Sequence, residues 1–106
     1  MVATIKYNGK VYPYRVGYRA LKHVKSELGR EYEHDETEMD YEGLECLFWH
    51  AIEGEHIKQK KELDLKREDM EFVLDECLPD LISSIVAFSQ AVTKLTAQPQ
   101  KAKAKN

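Results

Sequence analysis

The sequence predicts an α+β, mainly α domain, in which an N-terminal β-hairpin is followed by about four helices in a small bundle. Three observations predict this class: an Asn-Gly turn between two short β-forming runs, apolar residues at helical spacing through most of the remaining chain, and a length of 106 residues that suits one domain. We expect residues 1–95 to form the domain and residues 96–106 to form a flexible, disordered basic tail.

The hairpin is predicted over residues 2–16, with its turn at residues 8–9. Asn-Gly suits the two positive-φ positions of a type I′ turn, and the register that follows from this turn places Ile5 opposite Tyr12. The tyrosines then share the apolar side of the ribbon: Tyr7, Tyr12 and Tyr14. Because a lone two-stranded ribbon is marginal in water, this side must pack on helices or on another chain.

Two amphipathic helices are predicted next, over residues 18–28 and 41–54. The first ends before Gly29, because glycine readily takes the left-handed position that follows a helix. Asp40 is the predicted N-cap of the second helix, and Gly54 is predicted to close it. The acidic residues between the two helices have no apolar period and are predicted to form an exposed connection.

Two further helices are predicted over residues 67–77 and 79–95, with Pro79 in the first turn of the later one. The apolar surface of that last helix is broader than one stripe, which leaves two interpretations. It is either the central helix of a small core, or a surface for self-association or for a partner helix. The residues predicted for partner or self-association contacts are Tyr7, Tyr12, Tyr14, Ile82, Ile85, Val86, Phe88 and Val92.

Charge is distributed in blocks, although the formal net charge is only −3. Residues 1–26 carry six basic residues and no acid, whereas residues 27–45 carry nine acids and one base. Such blocks can orient neighbouring copies or a charged partner. The basic block with its tyrosines indicates an alternative function, a small nucleic-acid-binding regulatory protein. The acidic balance, with a sequence pI near 5.8, weighs against that alternative.

No catalytic residue, metal site or cofactor is predicted, so we expect a protein that is not an enzyme. His50 and His56 lie about 240° apart around a helix, and we interpret them as ordinary surface histidines. Cys46 and Cys77 lie on apolar stripes beside acidic residues, and we interpret them as small core hydrophobes. Two cysteines are too few for a disulfide framework, and no apolar run is long enough for a membrane span or a secretory signal. These features favour a cytoplasmic protein.

Five segments occur in a recognisable order: residues 8–12 (NGKVY), 16–21 (VGYRAL), 27–29 (ELG), 44–52 (LECLFWHAI) and 65–70 (LKREDM). In this order the chain resembles the phage tail assembly chaperone family of the long, flexible-tailed, siphovirus-type phages. The resemblance covers roughly residues 3–92 and is carried by structural motifs.

The resemblance implies a non-enzymatic assembly factor that forms multimers and coats the tape measure protein, a very long and largely helical chain. The factor keeps that chain soluble during virion assembly until the tail tube protein polymerises around it. The resemblance also implies a frameshift-extended form that recruits tail tube protein, a location in the host bacterial cytoplasm, and absence from the mature virion. It assigns no individual binding residue.

Overall fold

The computed structural model describes the backbone of residues 2–33 and 37–104, and the side chains of residues 2–33 and 37–93. The prediction of an α+β, mainly helical domain with an N-terminal hairpin is confirmed, with three helices in place of four. The elements in chain order are β1 (Ala3–Tyr7), β2 (Lys10–Tyr14), α1 (Tyr18–Leu28), α2 (Tyr41–Gln59), a short 3₁₀ turn (Arg67–Asp69) and α3 (Met70–Ala104).

The predicted hairpin and its register are confirmed. Ile5 pairs with Tyr12 in an antiparallel ladder, and the turn residues Asn8 and Gly9 have φ of 55° and 79°, as a type I′ turn requires. The outer edge of the ribbon is tied to α2 just beyond β2, where the Arg15 amide donates to the carbonyl of Ala51 at 3.1 Å. The hairpin is therefore held by the helices along its apolar face and at one end.

Helix α2 is longer than predicted, because Gly54 does not end it. The helix continues to Gln59, and Lys60 takes the left-handed position that follows, with φ of 57°. A β-carbon at position 54 would lie 2.7 Å from Nη1 of Arg19. Position 54 therefore requires glycine because a side chain of α1 approaches the α2 backbone closely there, and not because the helix ends there.

The two helices predicted over residues 67–77 and 79–95 are one continuous helix, α3, so the prediction that Pro79 begins a new helix is wrong. An interior proline loses one backbone hydrogen bond and crowds the preceding turn. Here Pro79 is exposed. The buried residues keep their helical spacing across it: Met70, Val73, Cys77, Leu81 and Ile85. Packing along this stripe holds the helix together through the proline.

The side chains of the flexible tail predicted over residues 96–106 all lie outside the described ones. The backbone of α3 is helical as far as Ala104, and residues 105 and 106 lie outside the described part of the chain. The flexibility of this segment therefore stays a prediction.

One apolar core joins the inner face of the hairpin to α1, α2 and the first half of α3. The aromatic residues that begin α1 and α2 lie outside this core: Tyr18 is 78% exposed and Tyr41 is 75% exposed. Each stands in the first turn of its helix, ahead of the turns that the other elements cover. No helix in the described residues is long and apolar enough to cross a membrane.

The predicted N-cap of α2 is confirmed, since Oδ1 of Asp40 accepts a hydrogen bond from the Gly43 amide at 3.0 Å. Asp40 also accepts a two-pronged pair of bonds from Arg30, at 2.7 and 2.8 Å. We expect Asp40→Ala to lower the free energy of unfolding by about 1–2 kcal/mol, because it removes the cap as well as the ion pair. Asp40→Asn keeps a capping side chain and should lose less. Urea unfolding measures both, and equal losses would contradict this assignment of the cap.

Candidate functional site

Three of the residues predicted for partner contacts lie in the core. Tyr12 is 5% exposed, Tyr14 is 1% exposed and Ile85 is 4% exposed. The Tyr14 hydroxyl lies 2.6 Å from Oγ of Ser84, and it donates to the Asp80 carbonyl at 3.1 Å, which fixes the hairpin to α3. These three residues therefore stabilise the fold from within and do not form a contact surface in this structure.

Tyr12 links the hairpin to the connection that precedes α3. Its hydroxyl donates to Oδ1 of Asp64 at 2.8 Å, and the same carboxylate binds Lys10. Burial, reinforced by the hydrogen bond to Asp64, raises the pKa of Tyr12 to about 12. The tyrosine is thus a neutral donor at every ordinary pH, and it positions the connection that leads into α3.

Four of the remaining predicted contact residues lie on α3 where it leaves the body of the protein. Ile82 and Phe88 are partly buried, Val86 is 39% exposed and Val92 is 40% exposed. Tyr7, at the hairpin turn, is also partly buried. Val92 follows Ile85 by seven residues, so it lies on the same stripe as the buried part of the helix. The stripe therefore continues beyond the elements that cover its first half.

Helix α3 projects from the rest of the structure. It has 35 residues and is about 52 Å long at 1.5 Å per residue. Every described side chain from residue 89 to residue 93 is exposed. The radius of gyration is 15.0 Å, above the value of about 13 Å typical of a compact chain of this length. Short helices without tertiary packing are marginal in water, so the projecting half is an element that packing against another chain would stabilise.

A second apolar surface lies between the first turns of α2 and α3. It is a groove of about 560 Å³, lined by Met39, Tyr41, Leu44, Leu74, Leu78 and Pro79. Three carboxylates stand along the same groove, those of Glu45, Glu71 and Asp75. None of the three makes an ion pair with the described residues. An apolar floor with an acidic rim suits an amphipathic helix flanked by lysine or arginine.

The basic N-terminal block is largely paired within the chain. Arg15 bonds to Glu55 at 3.2 Å and Arg19 bonds to Glu53 at 3.4 Å. Two lysines of the block also have acidic partners, in the pairs Lys10–Asp64 and Lys25–Glu31. A phosphate-binding surface needs cations that are free to meet phosphates. These ion pairs add no support to the alternative hypothesis that the protein binds nucleic acid.

Arg30 and Asp40 form an ion pair within the acidic connection. Arg30 holds the pKa of Asp40 at about 2, well below its usual range. A carboxyl group with a lowered folded-state pKa stabilises the fold above its unfolded pKa of about 4, and the effect is lost as the pH falls through about 2. We therefore expect the stability advantage of the natural chain over Asp40→Asn to shrink across that interval. Urea midpoints between pH 6 and pH 2 measure this advantage, and a pH-independent difference would contradict the assignment.

The two histidines predicted to be surface residues are buried, so that interpretation is wrong. His50 is 9% exposed and His56 is 5% exposed. His56 donates from Nδ1 to the Ile52 carbonyl at 2.8 Å, one turn earlier in the same helix. His50 lies between two carboxylates, those of Glu27 on α1 and Glu53 on α2.

Both cysteines are buried, which confirms the prediction that they belong to the core. Burial, followed by the neighbouring Glu27 carboxylate, raises the pKa of Cys46 to about 11. Cys46 and His50 are four residues apart and therefore share one face of α2. This spacing is visible in the sequence, but the approach of Glu27 from α1 depends on the fold.

Comparisons of the chain with protein-family models, with curated proteins and with solved structures return no match.

Proposed function

We propose that this protein is a phage tail assembly chaperone, a non-enzymatic protein that self-associates and binds the tape measure protein to keep it soluble during tail assembly. The observation that carries the proposal is the apolar stripe of α3, which continues from the buried Ile85 to the exposed Val92 on a projecting helix. A chaperone of this kind works in the host bacterial cytoplasm and is absent from the mature virion. Tail tube protein would be recruited through an extended form of the chain.

In this proposal two surfaces of the protein have separate roles. The projecting half of α3 mediates contacts between copies, because its stripe continues the core of the same molecule. The groove with Glu45, Glu71 and Asp75 on its rim receives helical segments of the tape measure protein. Each contact is modest, and many copies along one long partner supply the affinity through avidity. Weak individual contacts also allow the coat to leave when the tail tube forms.

The proposal is tested by expressing the tape measure protein of the same phage with and without this chain. We expect the tape measure protein to be soluble and to co-purify only when the chain is present. A triple charge reversal in the groove, Glu45→Lys with Glu71→Lys and Asp75→Lys, should abolish co-purification through like-charge repulsion.

The matched control reverses three acids outside the groove, Glu33→Lys with Glu62→Lys and Glu68→Lys. It changes the net charge by the same amount and should leave co-purification intact. Circular dichroism establishes that both variants are folded. A tape measure protein that stays insoluble beside the folded natural chain would refute the proposed function. Equal loss in the two variants would refute the assignment of the groove.

A further inference from the structure

Three side chains of different chemistry meet where α1 crosses α2. Cys46 and His50 come from successive turns of α2, and Glu27 comes from the last turn of α1. One donor atom from each residue lies within 4.8 Å of the other two, and Nε2 of His50 is 3.1 Å from Oε1 of Glu27. Thiolate, imidazole and carboxylate are the ligand types that zinc takes in proteins.

Both ring nitrogens of His50 face carboxylate oxygens. The Nδ1 atom lies 3.1 Å from Oε1 of Glu53, whose carboxylate is held in turn by Arg19 at 3.4 Å. A neutral imidazole that donates from Nδ1 to Glu53 has only a lone pair at Nε2, and that lone pair faces the acceptor oxygen of Glu27. A metal ion bound to Nε2 would have the Glu27 oxygen as a second ligand on the same side.

The neighbours of the three side chains match the outer shell of a metal site. Metal-bound histidines usually donate their other ring N–H to a carboxylate, as the Nδ1 contact with Glu53 allows. Glu27 is oriented by Arg67, which binds both carboxylate oxygens, with Nη1 at 3.0 Å from Oε1. These bonds leave other lone pairs of the carboxylate for a further ligand. Arg67 also keeps the pKa of Glu27 at about 2, so the group is a carboxylate at neutral pH.

We propose that Glu27, Cys46 and His50 form a binding site for a divalent transition metal ion of the zinc class. The side chain of Glu27 is 37% exposed, so a water molecule can complete a four-coordinate site from the solvent side. The metal ion replaces the thiol proton of Cys46, and the proton at Nε2 of His50 where that nitrogen carries one, and the released protons go to solvent. The ion would tie α1 to α2, a role that is independent of the proposed chaperone function.

Cobalt(II) is the probe for this site, because tetrahedral thiolate-bound Co²⁺ absorbs in the near ultraviolet and the visible range. The full-length chain is purified with a chelator and a phosphine reductant, freed of chelator, and titrated with Co²⁺. We expect one equivalent to produce both absorption features and Zn²⁺ to displace it. Binding should weaken as the pH is lowered, because the thiol must lose its proton.

Cys46→Ser should remove the thiolate band, whereas Cys77→Ser, at the other buried cysteine, should keep it. Glu27→Gln changes a partly exposed side chain, so it tests the site without emptying the core. It should weaken Co²⁺ binding at least tenfold. An absent thiolate band in the folded natural chain, or a band that depends on Cys77 and not on Cys46, would overturn the proposal.

Discussion

Phe48→Ala is expected to lower the free energy of unfolding by about 3–5 kcal/mol, the usual result of emptying a large buried aromatic site. Phe48 is fully buried in α2, and its ring meets that of Tyr14 edge to face at a centroid distance of 5.2 Å. It therefore stands where the hairpin and the helices share one core. Small domains have a total stability of about 5–15 kcal/mol, so this single change should bring the chain close to unfolding at 37 °C.

Phe72→Ala is the matched control for that variant. Phe72 is 63% exposed on α3, so the same truncation should change the free energy of unfolding by less than about 0.5 kcal/mol. Urea unfolding followed by circular dichroism measures both variants. Similar losses for Phe48→Ala and Phe72→Ala would show that the core is not centred on α2 and β2.

The second large effect concerns assembly. We expect the double variant Val86→Lys with Val92→Lys to lose self-association, because it places one charge on the apolar stripe at Val92 and a second charge beside the stripe at Val86. Both valines are about two-fifths exposed in the isolated chain, so the fold itself should keep its stability. Light scattering measures the mass of the particles at increasing protein concentration.

The control for this variant carries the same added charge on another side of α3, as Ser83→Lys with Gln90→Lys. Both residues are exposed and lie away from the stripe that contains Ile85. This control should associate as the natural chain does. If the valine variant still associates, the contacts between copies lie elsewhere on the protein. If both variants lose association, general charge repulsion explains the loss.

Local signals in the sequence predict the hairpin and the start of α2 well. The Asn8-Gly9 turn sets the register of the hairpin by itself. Asp40 caps helix α2, which begins at the next residue. The end of α2 and the continuity of α3 are decided by packing over longer distances. Gly54 accommodates a side chain from α1, and the stripe on either side of Pro79 outweighs the local preference for a break. Intrinsic helix propensity is therefore a weak predictor of a helix end where the buried face of the helix continues beyond it.

The candidate surfaces were predictable only in part. The sequence shows which residues of α3 form an apolar stripe, but not that Ile85 is buried while Val92 stays exposed. It shows the blocks of charge, but not their partners, since Lys10 meets Asp64 and Glu27 meets Arg67 from distant parts of the chain. The spacing of Cys46 and His50 is local, and the third donor of that cluster comes from another helix.

The central claim is that this chain coats a helical partner in many copies. The most direct measurement is the mass of the complex formed when the purified chain is co-purified with the tape measure protein, determined by light scattering after size-exclusion chromatography. The proposal predicts one tape measure chain with multiple copies of this protein, and a stoichiometry that falls when the tape measure chain is shortened. A chain that elutes as a monomer both alone and beside soluble tape measure protein would contradict it.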